Sequence, residues 1–340
     1  MTRSLLALLI LTAAAQGQRM DLKLPTANEF IFSEPARFYM YTDRTFEGEV
    51  SKPWTGGQYG LVRTPIRTPE GVLYDRFHEG IDIAPLERDK AGNPLDPISA
   101  IAAGKVAYVS NISGRSNYGK YVVVEHDWGC GPIYSLYAHL AEITCKPGQI
   151  VEGGANLGTM GFTGEGINRT RAHVHLELNL LSSSSFDAWM KVNGGGINHH
   201  GNFNGMNLMG LDIASLFVAH KANPELSLVD FIASKPVYFK VTIPRAGPLE
   251  ILQRYPWLVR GPAAPATPSW EISFTATGFP TGFAPSNRRV SAPTITDVRH
   301  AASRHRYHTR GLIDGTGTQA SLTNNGLQLL SLITGDFPKE

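Results

Sequence analysis

Between Trp54 and Leu181 the chain never runs far without a turn. Short β-prone runs, LYDRFHEGIDIA, ISAIAAGKVAYVS, KYVVVEHD, IYSLYAHL, ANLGTMGF and AHVHLELNL, alternate with Gly, Pro, Asn and Asp. This is the pattern of many short strands, and connections this short favour antiparallel pairing. The 35 glycines and 22 prolines in 340 residues also favour turns over long helices. A mainly β protein is expected, with about two domains by length.

The remaining segments differ in character. Arg3 precedes the apolar run LLALLILTAAA from Leu5 to Ala15, and the small residues Ala13, Ala15 and Gly17 follow the spacing of a cleavage site. Such a run is too short to span a bilayer and is the size of an export signal. Residues 1–17 are therefore expected to be a signal peptide, and the mature chain to be periplasmic or extracellular with no membrane span. Residues 18–53 form an N-terminal segment without clear periodicity, and 54–181 the β-rich domain. In 182–235, a Gly/Asn-rich loop gives way to apolar residues at helical spacing from Leu208 to His220. A second short helix is expected from Leu228 to Ala233, with Ser227 as its cap. Residues 236–340 read as a β-rich C-terminal region, opening with VYFKVTI and ending in a helix from about Gly326. A net charge of +2 gives no support for a nucleic-acid partner. Two cysteines, Cys130 and Cys145, fit either one disulfide or two separate buried thiols.

The chemistry is concentrated in three short motifs: His78-Glu79-Gly80-Ile81-Asp82, Tyr137-Ala138-His139-Leu140 and His173-Val174-His175-Leu176-Glu177. Residues two or four apart on a strand share a face. His78 and Asp82 are thus expected to point the same way, with Gly80 leaving room for a metal or substrate. His173, His175 and Glu177 are expected to share a face as well. A histidine and aspartate pair plus one more histidine supplies the three protein ligands of a catalytic zinc site, which keeps a fourth position open. The histidines left over can take a proton or steady an oxyanion.

The segment from about Gly57 to Leu180 resembles the lysostaphin and LytM-type zinc endopeptidases. FHEGIDIA is similar to their HxGxD motif, YSLYAHL to their Tyr-x-His-Leu, and AHVHLEL to their HLHFE, in the same order. PISAIAAGKVAYVS and KPGQIVEGGANLGTMGFTG are similar to the strand pair and glycine-rich hairpin between those motifs. The resemblance implies a zinc ion held by His78, Asp82 and His175, with His139 and His173 as the catalytic pair beside an activated water. It implies an antiparallel β-sheet or barrel-sandwich peptidase domain with a groove; the mixed α and β C-terminal region lies beyond the resemblance. It implies hydrolysis of the peptide cross-links of bacterial peptidoglycan, whose stem peptides and cross-bridges would be the partners.

This sequence departs from the family pattern in a longer loop, Glu165 to Ala172, and in Leu176 where phenylalanine is usual. Arg169 and Arg171 in that loop can reach an acidic stem peptide or can simply be solvated. All five positions are kept, which disfavours a non-catalytic wall-binding or amidase-activating scaffold of the same fold. An iron oxygenase triad usually places its histidine and acid two apart, not four. KPGQIVEGGANLG also resembles half of a biotinyl domain but lacks the Met-Lys tip. His199 and His200 are expected in an exposed loop, and RHAASRHRYHTR, Arg299 to Arg310, on a solvated face.

Overall fold

The computed structural model describes residues 19–244, 249–261 and 267–338. The expected export signal at 1–17 lies outside the described residues. A hairpin of β1 (Gly60–Thr68) and β2 (Gly71–His78) precedes the short strand β3 (Ile81–Ile83). Then come β4 (Gly104–Ser110), β5 (Tyr121–Asp127), β6 (Pro132–Ala138), β7 (Ile150–Val151), β8 (Val174–Leu181) and β9 (Leu208–Gly210). They form one antiparallel sheet in the order β7-β4-β5-β6-β8-β9, with β3 also pairing on β8. The sheet is open and does not close into a barrel among the described residues.

β8 shows how the sequence sets this layout. Its side chains alternate, so Val174, Leu176, Leu178 and Leu180 enter the core, each fully buried. His175, Glu177 and Asn179 form the opposite row and are also buried. Burying four aliphatic side chains stabilises the strand by roughly 1.5–3 kcal/mol each. The polar row is thereby held against rigid backbone.

The C-terminal region forms a second antiparallel sheet of β10 (Phe239–Pro244), β11 (Ser269–Phe274), β12 (Pro280–Ser286) and β13 (Thr294–Val298), in the order β12-β11-β10-β13. It is tied to the first by polar contacts as well as a shared apolar core. The Tyr255 hydroxyl donates to Pro132 O at 2.9 Å and accepts from Leu181 N at 2.9 Å. Trp257 Nε1 donates to Cys130 O at 2.6 Å. At the tip of the β1–β2 hairpin, Glu70 accepts hydrogen bonds from Ala302 N at 3.0 Å and Ser303 N at 3.2 Å.

Several expectations need correction. The apolar run from Leu208 to His220 is not one helix. Leu208–Gly210 is edge strand β9, paired with Asn179–Leu181, and the helix Ile213–Ala222 starts only after Asp212 caps it through Ser215 N. The helix Leu228–Ala233 has Ser227 as its cap, as expected. The last helix spans Asn324–Thr334, two residues earlier than expected, because Thr323 caps it through Gly326 N. Cys130 and Cys145 are separate buried thiols. In the basic segment from Arg299 to Arg310 all four arginines are exposed, as expected, but His305 and Thr309 between them are fully buried and Ser303 nearly so.

Candidate metal centre

His78 ends β2, Asp82 lies in β3 and His175 lies in β8. In one extended strand, residues four apart would sit about 13 Å from each other. Here the strand breaks at Glu79-Gly80, and the His78 Nε2 to Asp82 Oδ1 distance closes to 3.1 Å. Gly80 does not leave room for a metal, as expected from sequence. A Cβ there would lie 2.2 Å from Leu176 O and 2.8 Å from Glu177 Cγ, so the missing side chain lets this break lie directly on β8. The register then sets Asp82 opposite His175.

One ligand atom from each of His78, Asp82 and His175 lies within 4.8 Å of the other two, and all three residues are buried. His139 follows the end of β6, and His173 immediately precedes β8. Their rings meet edge to face at 4.7 Å, and the His139 ring lies 5.9 Å from that of His175. His173 Nε2 is 3.3 Å from Asp82 Oδ1. The structure therefore brings all five residues singled out from sequence into one cluster.

The outer atoms of the cluster decide which inner atoms are free. His78 Nδ1 donates to Gln58 O at 2.7 Å, His139 Nδ1 to Thr163 O at 2.9 Å and His173 Nδ1 to Arg171 O at 2.5 Å. His175 Nε2 donates to Glu177 Oε1 at 2.8 Å. Each of those acceptors lacks a proton to offer, so a ring that is neutral here carries its hydrogen outward and its lone pair inward. Asp82 is divided in the same way. Its Oδ2 pairs with Arg63 Nη2 at 2.5 Å, while Oδ1 faces His175 Nδ1 at 3.0 Å. His78 Nε2 and His175 Nδ1 stand 3.0 Å apart.

Such a cage fits a cation. Burial opposes a charge on His175, but hydrogen bonds to Asp82 and Glu177 outweigh it and lift the pKa to about 10. Burial pushes His78 down, against the pull of Asp82. Burial, then the neighbouring His173 and His175, push His139 well below its ordinary value and keep it neutral. Burial would raise Asp82, yet His173 and His78 hold it well below the ordinary carboxylate range. Two nitrogens and one carboxylate oxygen, with outer partners orienting each, are a donor set suited to zinc.

Three contributors were missed or left without a role in the sequence. Glu177 Oε1 also accepts from the Tyr118 hydroxyl at 2.7 Å, and its Oε2 accepts from Asn179 Nδ2 at 2.9 Å. Strand alternation marked the face of Glu177 but not its task. Tyr118 and Arg63 reach the cluster only through tertiary contact, and no local signal marks either.

The cluster lies in a groove of about 1170 Å³. Its lining includes Arg63 and Arg76 from the hairpin, Arg171, and Thr277, Phe279 and Arg310 from the C-terminal region. Of the two loop arginines, Arg171 faces the groove, whereas Arg169 turns back to donate to Ala91 O at 3.0 Å. His200 is not exposed as expected. It is 6% accessible, lines the groove, and packs against Tyr121 and Tyr108 with ring centroids at 5.4 and 6.0 Å.

Residues 76–187 match the model of peptidase family M23. A peptidase M23 protein from Pseudomonas aeruginosa is 31% identical over 36% of this chain and 44% of its own, with a TM-score of 0.24. The catalytic domain of the prophage-encoded M23 protein EnpA from Enterococcus faecalis is 26% identical over 41% of this chain and 79% of its own, with a TM-score of 0.26. The catalytic domain of the antimicrobial peptidase lysostaphin from Staphylococcus simulans is 23% identical over 41% and 79% respectively, with a TM-score of 0.25. No curated protein matches the chain. With TM-scores this low, the likeness rests on the sequence of the matched segment. That segment contains all five clustered residues, in the motif order of the lysostaphin and LytM-type enzymes. Over residues 76–187 the chain thus resembles peptidase family M23 in sequence and motif order.

Proposed function

We propose that this chain is a zinc-dependent endopeptidase that hydrolyses peptide cross-links in bacterial peptidoglycan. The observation that carries this reading is the convergence of buried ligand atoms. His78 Nε2, Asp82 Oδ1 and His175 Nδ1 converge within 4.8 Å, and two further histidines turn Nε2 toward the same space. His78, Asp82 and His175 would hold the zinc. When bound, zinc supplies Lewis acidity and lowers the pKa of a water at its open position.

The remaining steps belong to the protein. His139 is buried and neutral, with its proton on Nδ1 and its Nε2 free. Nε2 accepts the proton of the attacking water and can return it to the leaving amine. His173 presents its own Nε2 from the other side, placed to steady negative charge developing on the peptide oxygen. An extended peptide would lie along the groove past these groups. Expected action is outside the cytoplasm, at the cell envelope, and no described helix is long and apolar enough to cross a membrane.

Incubation of the purified chain with purified peptidoglycan tests the proposal. Cross-linked dimers, resolved by liquid chromatography and mass spectrometry, are expected to convert to monomers. A chelator should stop the conversion and added zinc should restore it. Intact dimers after incubation with zinc would favour the scaffold reading instead.

A further inference from the structure

The C-terminal region contributes one groove residue whose placement the metal chemistry does not explain. Among the described residues, five other than glycine have positive φ: Asp21, Glu47, Thr64, His139 and Arg310. Three of these, Thr64, His139 and Arg310, line the groove. Left-handed backbone is costly for residues with a Cβ and collects where a side chain must be aimed.

Arg310 has φ 48° and lies on a firmly held turn. Gly311 N donates to Arg306 O at 3.0 Å, and Leu312 N to Thr309 O at 3.0 Å. The Thr309 hydroxyl donates back to His305 O at 2.8 Å. The guanidinium carbon of Arg310 sits 4.6 Å from the centre of the Phe77 ring, within cation–π range. Phe77 is backed edge to face by Tyr59 at 5.4 Å, and Tyr59 is itself fixed by a 2.8 Å bond to Gly210 O. Phe77 immediately precedes His78.

The guanidinium has no partner for its hydrogens. Arg44, Arg63 and Arg171 each donate to an acceptor in or beside the groove. Among the described residues, Arg310 and Arg76 form no hydrogen bond or ion pair. Both are open to solvent, but Arg310 is held in place against the Phe77 ring. An aimed and unpaired planar cation with five donors is complementary to a carboxylate bound through two parallel hydrogen bonds.

We infer that Arg310 forms a carboxylate-binding subsite of the groove, and that it selects peptide substrates by a free carboxylate lying beside the bond to be cut. The inference deepens the peptidase reading and rests on it. It gives the C-terminal region a direct part in substrate choice.

The probe is a cross-linked stem-peptide dimer in two forms, with its carboxylates free and with them converted to amides. Binding to the full chain is measured by calorimetry, and cleavage of each form is followed in parallel. The wild type is expected to bind the free form roughly tenfold or more tightly than the amide. Arg310→Asn removes the cation while tolerating left-handed backbone, and should bind both forms alike. Arg310→Lys should keep part of the preference. An Arg310→Asn protein that retains the wild-type preference, or loses affinity for both forms equally, overturns the inference. So does a wild type that cleaves and binds both forms without preference. A wild type that shows the preference but cleaves neither form supports the subsite and counts against hydrolysis.

Discussion

At the residue scale, the proposed metal centre depends on atoms that face away from it. Glu177 takes the proton-bearing Nε2 of His175, and so leaves Nδ1 as the inward ligand atom. Glu177→Gln should therefore weaken zinc binding about 10–100-fold, read by competition with a chelator of known affinity. Unchanged affinity would mean that something else fixes the His175 tautomer. His126 tests burial away from the centre. It is fully buried, donates from Nδ1 to Ala103 O at 2.8 Å, and stacks on Trp128 at 5.2 Å. Burial pushes its pKa from 6.5 to about 4, so the fold favours the neutral ring. The stability this gives is fully present above pH 6.5 and is lost as pH falls toward 4, by about 3 kcal/mol. Urea unfolding across that window should show His126→Gln to be less pH-dependent than the wild type; parallel profiles would refute the account. His78, Asp82, His139, His173 and His175 were all legible in sequence, because each sits in a short motif. Arg63, Tyr118 and Arg310 were not, since each acts on a residue far away in the chain. His200 was misjudged because a Gly/Asn-rich loop hides whether a tertiary neighbour covers it.

At the element scale, the β1–β2 hairpin connects the two sheets. Its base carries Arg63 and His78, and its tip carries Glu70. Hydrogen bonds from Ser303 and Ala302 hold the exposed Glu70 carboxylate down to about 2. The docking contact is thus complete above the ordinary value of 4.5 and is released only as pH falls through about 2. Glu70→Ala should speed amide hydrogen exchange in residues 60–78 and at 302 and 303, with little effect elsewhere in the sheet; exchange unchanged at both places would show that the hairpin is held by other contacts. Gly80 is the second element-scale constraint. In Gly80→Ala the new methyl would meet Leu176 O, forcing β3 away from β8. A cost of about 1–3 kcal/mol is expected, together with weaker zinc binding. Wild-type stability and zinc affinity in this variant would contradict the packing described. Turn spacing made most of the central strands legible. The division of Leu208–His220 into strand and helix was hidden, because an apolar edge strand next to a capped helix has the same composition as one longer helix.

At the scale of the whole molecule, the proposed metal centre is assembled from three strands and two flanking positions, and its groove is walled by the hairpin, loops and C-terminal region. The polar row of β8 lies under that groove, and its apolar row anchors the core beneath. The sequence carried the first half of this arrangement in its motifs. The closure by residues beyond 236 was not legible, because it rests on contacts such as Glu70 with Ser303 and Tyr255 with Pro132 rather than on local pattern. The central claim is a division of labour, with three side chains for the cation and two for the proton. Measuring zinc content and dimer cleavage together in His139→Ala and Asp82→Asn tests it most directly. His139→Ala should keep one zinc per chain while cleavage falls by about 10²–10⁴-fold, and Asp82→Asn should lose the zinc and the cleavage together. A His139→Ala protein that loses zinc as Asp82→Asn does, or that cleaves as fast as the wild type, would contradict the account.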